Sequence, residues 1–333
     1  MENVLILGAG TWGVAIAKLL NTNGHNVTCW SRNENLISEL SNNHIHPKLK
    51  DVILSSDITF TTEFEKSFNN KDVIVYAIPS TGLREVVHNS VKHINSKQYL
   101  VSLTKGMEDK TLYTMSEVIF DELKKANIDN DKVVVLSGPT HAEEVGKSLP
   151  SMIVSASVNE NHSMFIQDIF MNENFRVYTN TDIKGVEICA AFKNVIAIAS
   201  GILTGLGYGD NMKAAVITRG LAEMIRVGEA MGCKKDTFYG LAGVGDMIVT
   251  ATSTNSRNYN FGKYLGEGLN TKIALEKIGM VVEGINFLPK AIQIMDKYKL
   301  DLPITNGVNE VVYKDMNAKY ITSLLMKRSK KAE

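Results

Sequence analysis

The sequence predicts an α/β protein in two parts: an open, doubly wound and mostly parallel sheet over residues 1–181, then an all-helical domain over residues 182–333. Three observations carry this. The continuous apolar run Val4-Leu5-Ile6-Leu7 leads straight into Gly8-Ala9-Gly10-Thr11-Trp12-Gly13 and a helical stretch, the pattern of a strand covered on both faces that turns through glycines into a helix. About eight strand signals, most of them separated by helical stretches, fall in the first ~180 residues. After Asp182 these signals stop and long helical periods take over.

The helix after the glycines reads Val14-Ala15-Ile16-Ala17-Lys18-Leu19-Leu20. In this context Gly8 permits the turn, and Gly10 lets backbone N–H groups approach a pyrophosphate at the helix N-terminus. Gly13 lets helix and strand pack closely, so a dinucleotide is the expected ligand of this Rossmann-like unit. The second strand, Asn26 to Trp30, ends in Ser31-Arg32-Asn33, where an NAD enzyme usually carries an acid for the ribose 2′-hydroxyl. A guanidinium there suits a 2′-phosphate, so the residues favour NADPH (NADP) over NADH (NAD). A solvated loop arginine is the alternative.

A polar segment with His44 and His46 follows; neither has a cysteine or carboxylate partner at ligand spacing, so no metal site is expected. Then come a weak strand near Ile58 and a strong one over Asp72 to Ile78, closed by Pro79-Ser80. Tyr99 to Leu103 delivers Thr104-Lys105-Gly106 to the carboxyl edge of the sheet, the edge at which doubly wound sheets bind ligands. A helix over Thr111 to Ala126 leads to Val133 to Leu136, which delivers Ser137-Gly138-Pro139-Thr140-His141-Ala142-Glu143-Glu144 to the same edge. Two further strands, near residues 152–156 and 175–178, complete the sheet with a helix between them.

The second part is organised around Val186 to Ser200, an apolar helical run with Lys193 near its middle. Cys189, Ala190, Ile196 and Ala197 stand three and four residues away, which predicts a buried ammonium face. Desolvation lowers a lysine pKa and makes Lys193 a candidate general acid and base; a stem that packs while the head reaches water is the competing reading. Farther on, Gly243-Val244-Gly245-Asp246 reads as a tight turn. Ser256-Arg257-Asn258 offers three successive donors that could wrap a phosphate.

Thirty-six basic and thirty-six acidic residues give zero formal charge, which removes the global field that recruits nucleic acid or anionic membrane. Three dispersed cysteines without CxxC spacing favour a reducing compartment. The strand begins directly after Glu2-Asn3, with no basic and apolar leader, and the uncharged run Asn194 to Gly209 is shorter than the ~20 residues of a bilayer span. The expectation is a cytoplasmic protein that is not an integral membrane protein.

With these motifs in order, the chain resembles the bacterial-type NAD(P)-dependent glycerol-3-phosphate dehydrogenases over essentially its whole length. The resemblance rests on Gly-Ala-Gly-Thr-Trp-Gly (8 to 13), Trp-Ser-Arg (30 to 32), Ile-Pro-Ser (78 to 80), Thr-Lys-Gly (104 to 106) and Ser-Gly-Pro-Thr-His-Ala-Glu-Glu (137 to 144). It continues through Lys-Asn-Val-Ile-Ala-Ile-Ala (193 to 199), the stretch 209 to 220, Gly-Val-Gly-Asp (243 to 246), Ser-Arg-Asn (256 to 258) and Val-Val-Glu-Gly (281 to 284).

The resemblance implies reversible hydride transfer between NAD(P)H and C2 of dihydroxyacetone phosphate, giving sn-glycerol 3-phosphate for glycerophospholipid synthesis. Lys193 would be the proton donor and acceptor. Lys105, Gly138, Thr140, Asp246, Ser256, Arg257 and Asn258 would contact the substrate. Thr11, Trp12, Arg32, Lys105, Ala142, Arg257, Val281 and Glu283 would line the dinucleotide with Gly8, Gly10 and Gly13. Thr11 stands where serine is commoner, His141 where an aromatic is usual and Leu49 where tyrosine is frequent. The expected partners are the small-molecule substrate and, for assembly, a second copy of the chain as a homodimer; no nucleic acid is expected.

Overall fold

The computed structural model describes residues 1–330 and divides into two compact units, Met1–Glu187 and a second from Ile188 onward. In the first, eight strands run in the order β3-β2-β1-β4-β5-β6-β7-β8. They are β1 Asn3–Leu7, β2 Asn26–Trp30, β3 Thr59–Thr61, β4 Val73–Tyr76, β5 Tyr99–Ser102, β6 Val133–Ser137, β7 Ser151–Ala156 and β8 Phe175–Asn180. All neighbours are parallel except β6 and β7, which pair antiparallel. The order reverses between β1 and β4, so the turn that leaves β1 lies at the topological switch point, where such sheets hold their ligands.

The unbroken apolar runs follow from burial on both faces. Alternate residues of each strand enter different cores: Val4, Ile6, Val75 and Val101 pack under one layer, while Leu5, Leu7, Ile74 and Leu100 pack under the other. The helix expected from Thr111 instead begins at Met115, because Thr114 and Glu117 form a reciprocal capping box and Leu112 turns through φ 58° just before it.

The long apolar helix spans Ile183–Gly205, extending beyond the predicted run at both ends. It is long and apolar enough to cross a membrane, yet its most apolar stretch is wholly buried inside the protein. In its first turns Glu187 accepts from the Ser116 N–H at 2.8 Å and the Ser116 hydroxyl at 2.5 Å, which ties this end to the sheet unit.

Beyond Ile188 the described residues are helical, with main helices at Asp210–Ala230, Asp246–Thr252, Arg257–Gly266, Glu283–Tyr298, Pro303–Tyr313 and Ala318–Met326. Close backbone contact sets the site here. A Cβ on Gly201 would lie 2.0 Å from the Tyr259 carbonyl oxygen, and one on Gly262 would lie 2.0 Å from that of Ile198. The helix Arg257–Gly266 therefore touches the long helix backbone to backbone, which fixes its first residues beside Lys193. Pro289 interrupts the ladder of Glu283–Tyr298, and the Ile285 carbonyl it leaves without a helical donor accepts from the Tyr313 hydroxyl at 3.0 Å.

Candidate active site

The glycine turn fits a dinucleotide for steric reasons. Gly8 has φ +120°, and a Cβ there would lie 2.4 Å from the Ala77 carbonyl oxygen. A Cβ on Gly13 would lie 2.0 Å from the Gly8 oxygen, whereas Gly10 faces open space. The helix Thr11–Thr22 starts at once with Gly10 as its N-cap and no side-chain cap, leaving first-turn N–H groups and the positive helix end for an anion. The Trp12 indole nitrogen is buried and has no hydrogen-bond partner among the described residues.

The other predicted residues of this unit stand at the carboxyl ends of parallel strands. Arg32 follows β2, is exposed and has no carboxylate partner among the described residues; its neighbour Asn33 caps the next helix by accepting from the Leu36 N–H at 3.1 Å. Lys105 follows β5, half-buried, on a segment held when Thr104 donates to the Ile78 carbonyl at 2.9 Å. After β6, Gly138 presses on β7, where a Cβ would meet Ile153 Cα at 3.0 Å. Thr140 donates to the Gly138 oxygen at 3.2 Å, and Ala142 opens a short helix against the core. Of the three departures noted in the sequence, Thr11 is the first residue of the helix Thr11–Thr22, Leu49 is buried in the core and His141 precedes the short helix that Ala142 opens.

In the second unit Lys193 is 5 % exposed, but it is not the lone buried charge that its apolar neighbours predict. Its ammonium pairs with Asp246, itself 1 % exposed, and donates to Thr250 Oγ1 at 2.9 Å; Thr250 in turn donates to the Asp246 carbonyl at 2.6 Å. The Gly-Val-Gly-Asp segment explains the placement. Leu241–Gly245 forms a wide π-type turn in which a Cβ on Gly243 would strike the Phe238 oxygen at 2.1 Å, and Asp246 emerges as the first residue of the next helix. Thr250 escaped the sequence reading; its position one helical turn after Asp246 was the available signal.

The Ser256-Arg257-Asn258 triplet opens the helix Arg257–Gly266. Consecutive residues entering a helix point in different directions, and two of the three are used by the fold. Ser256 caps the helix by accepting from the Tyr259 N–H at 3.2 Å. Asn258 donates to Asn194 Oδ1 at 2.9 Å and accepts from the Gly284 N–H at 2.9 Å. Arg257 alone is displayed, exposed, with one N–H on the Val281 carbonyl at 2.8 Å. That bond brings together Arg257, Val281 and Glu283, the last of which begins Glu283–Tyr298. The arrangement offers a buried proton-bearing ammonium held by two oxygen groups, and a guanidinium with free donors on the same helical scaffold.

Comparison with known proteins agrees with this chemistry. Residues 3–163 match the model of the NAD-dependent glycerol-3-phosphate dehydrogenase N-terminus, and residues 182–323 match that of the C-terminus. A Lactobacillus delbrueckii subsp. bulgaricus protein named glycerol-3-phosphate dehydrogenase [NAD(P)+] 2 is 48% identical over 100% of this chain and 99% of its own. A Bacillus subtilis protein named glycerol-3-phosphate dehydrogenase [NAD(P)+] is 44% identical over 100% of this chain and 96% of its own. The crystal structure of a Coxiella burnetii glycerol-3-phosphate dehydrogenase superposes with a TM-score of 0.92 at 33% identity, covering 98% of this chain and 99% of that one. With both halves matched and relatives this similar along the full length, the chain belongs to the NAD-dependent glycerol-3-phosphate dehydrogenase family.

Proposed function

We propose that the buried group Lys193, Asp246 and Thr250 is the proton-handling centre of this dehydrogenase, which interconverts dihydroxyacetone phosphate and sn-glycerol 3-phosphate with NAD(P)H and so supplies glycerol 3-phosphate for glycerophospholipid synthesis. The observation that carries the proposal is the ion pair: a lysine sealed from water whose N–H groups are aimed by a carboxylate and a hydroxyl. The nicotinamide supplies the hydride when bound. As the carbonyl oxygen gains negative charge, the Lys193 ammonium stabilises it, and its N–H bond breaks as the O–H bond forms. The resulting amine stays between Asp246 and Thr250; in oxidation it takes the proton back.

Arg257 anchors the substrate phosphate, since a planar fork of donors matches a phosphate edge. Ser256 and Asn258 support it through the helix cap and the amide bridge. Lys105, Gly138 and Thr140 are proposed as the substrate contacts from the sheet unit. The dinucleotide is held by Gly8, Gly10, Thr11, Trp12 and Gly13 at the pyrophosphate, with Lys105, Ala142, Arg257, Val281 and Glu283 as further contacts. Arg32, without an acid in its place, makes NADPH the preferred reductant and NADH the weaker one. The assembly is a homodimer, checked by sedimentation velocity, and the location is cytoplasmic.

Steady-state assay with dihydroxyacetone phosphate and each reduced cofactor tests this reading. NADPH gives the higher kcat/KM, and Arg32→Asp lowers it for NADPH by about tenfold or more, as expected from losing a charged contact, while largely sparing NADH. Equal losses with both cofactors would remove the 2′-phosphate role.

A further inference from the structure

We propose that Arg84 and Glu108 are positioning residues for Lys105: their ion pair fixes the far end of the turn that carries the lysine, and so sets where its ammonium meets the ligands. The inference rests on the reading of Lys105 as a contact to both substrate and dinucleotide, and adds what holds it in place. Lys105 lies on a short stretch between two anchors. β5 ends at Ser102, and Thr104 ties the near end by donating to the Ile78 carbonyl at 2.9 Å. Directly after the lysine, Gly106 turns through φ 135°, a conformation that residues with side chains rarely adopt.

The far anchor is built on Glu108. Met107 bridges to Thr114, and the Glu108 N–H donates to the Tyr113 carbonyl at 2.9 Å, bonds that close residues 107–114 into a loop but join it only to itself. The Glu108 side chain joins that loop to the helix Leu83–Ser90. Its Oε1 accepts from Arg84 Nε and its Oε2 from Arg84 Nη2 at 2.7 Å, while Thr111 donates to Oε2 at 2.6 Å. Two parallel bonds fix angle as well as distance. Arg84 is itself held, since Nη1 donates to Asp121 and, at 2.5 Å, to Glu122 on the helix Met115–Lys125. Glu122 is 3 % exposed and also accepts from Lys125 at 2.9 Å. The Arg84 guanidinium holds the Glu108 carboxyl below the usual carboxylate range, so the pair stays ionised at neutral pH. Lys105 stands three residues before Glu108, within about 10 Å of extended chain, so a loosened carboxylate frees the lysine.

The test is a double-variant cycle read by steady-state kinetics, with folding followed by urea unfolding. Glu108→Gln keeps the shape of the side chain, and Arg84→Lys keeps the charge but loses the fork. Each is expected to lower kcat/KM by about tenfold or more, through a higher KM for both dihydroxyacetone phosphate and NADPH, as a displaced contact does. In a Lys105→Ala background the same substitutions change kcat/KM by about twofold at most, the scatter of uncoupled sites, because no ammonium is left to position. An equal loss in both backgrounds overturns the proposal, since the pair then acts independently of Lys105. So does a parent-like KM for both ligands in both variants, and failure of both to fold makes the pair purely structural and overturns it too. If Lys105→Ala alone keeps the parent KM values, the contact reading of Lys105 falls and takes this inference with it; where only the inference fails, Lys105→Ala is still impaired.

Discussion

The side-chain amide of Asn258 donates to Oδ1 of Asn194 at 2.9 Å, and this bond fixes the residue after Arg257 to the residue after Lys193. The spacing between the displayed guanidinium and the buried ammonium is thereby set by two neutral amides. A Cβ on Gly284 would come within 2.8 Å of Asn258 Oδ1, so the Glu283–Tyr298 helix closes against the same pair.

Asn258→Ala strands the Asn194 oxygen and the Gly284 N–H in the interior, at a cost of about 1–3 kcal/mol for each group. Urea unfolding should show that loss. The KM for dihydroxyacetone phosphate should rise more than the KM for the cofactor, since the bridge positions the substrate side. An unchanged KM for both would reduce Asn258 to a purely structural residue.

Arg257→Lys is expected to raise the KM for dihydroxyacetone phosphate by about tenfold or more, because an ammonium replaces a planar two-donor edge with a point charge. A substrate analogue lacking the phosphate should be nearly indifferent to the change. If the analogue suffers as much as the natural substrate, Arg257 is not the phosphate anchor.

What the sequence made legible was local or periodic. The glycine turn could be read because its reasons lie within six residues, and the strands because a parallel sheet covered on both faces demands unbroken apolar runs. The antiparallel direction of β7 was not legible, since it depends on how the short segment after Gly138 returns across the sheet. Nor was the partner of Lys193, which comes from Asp246, fifty-three residues away. In the Ser256-Arg257-Asn258 triplet the donors were legible, but the bonds that Ser256 makes to Tyr259, and Asn258 to Asn194 and Gly284, were not, since two of those partners lie far away in the sequence.

Burial pushes the Glu187 carboxyl up to about 7, opposed by the hydrogen bonds from Ser116. The folded protein therefore holds this proton more tightly than the unfolded chain, whose glutamate titrates near 4.5. Its contribution to stability is fully present below pH ~4.5 and is lost as pH rises toward and through 7. Glu187→Gln should flatten that part of the stability profile measured by urea unfolding between pH 5 and 8. A variant profile with the parent's slope would show that Glu187 does not titrate there.

The central claim is that Lys193 moves the proton. Lys193→Met is a poor test, because it leaves Asp246 as an uncompensated buried charge and costs about 3–5 kcal/mol. Lys193→Arg keeps a cation beside Asp246 but installs a group that does not release its proton in proteins. The decisive measurement is kcat for Lys193→Arg with dihydroxyacetone phosphate, alongside its dinucleotide affinity. The account predicts a fall of about two to four orders of magnitude in kcat with dinucleotide binding retained; a folded Lys193→Arg protein with kcat within tenfold of the parent would contradict it.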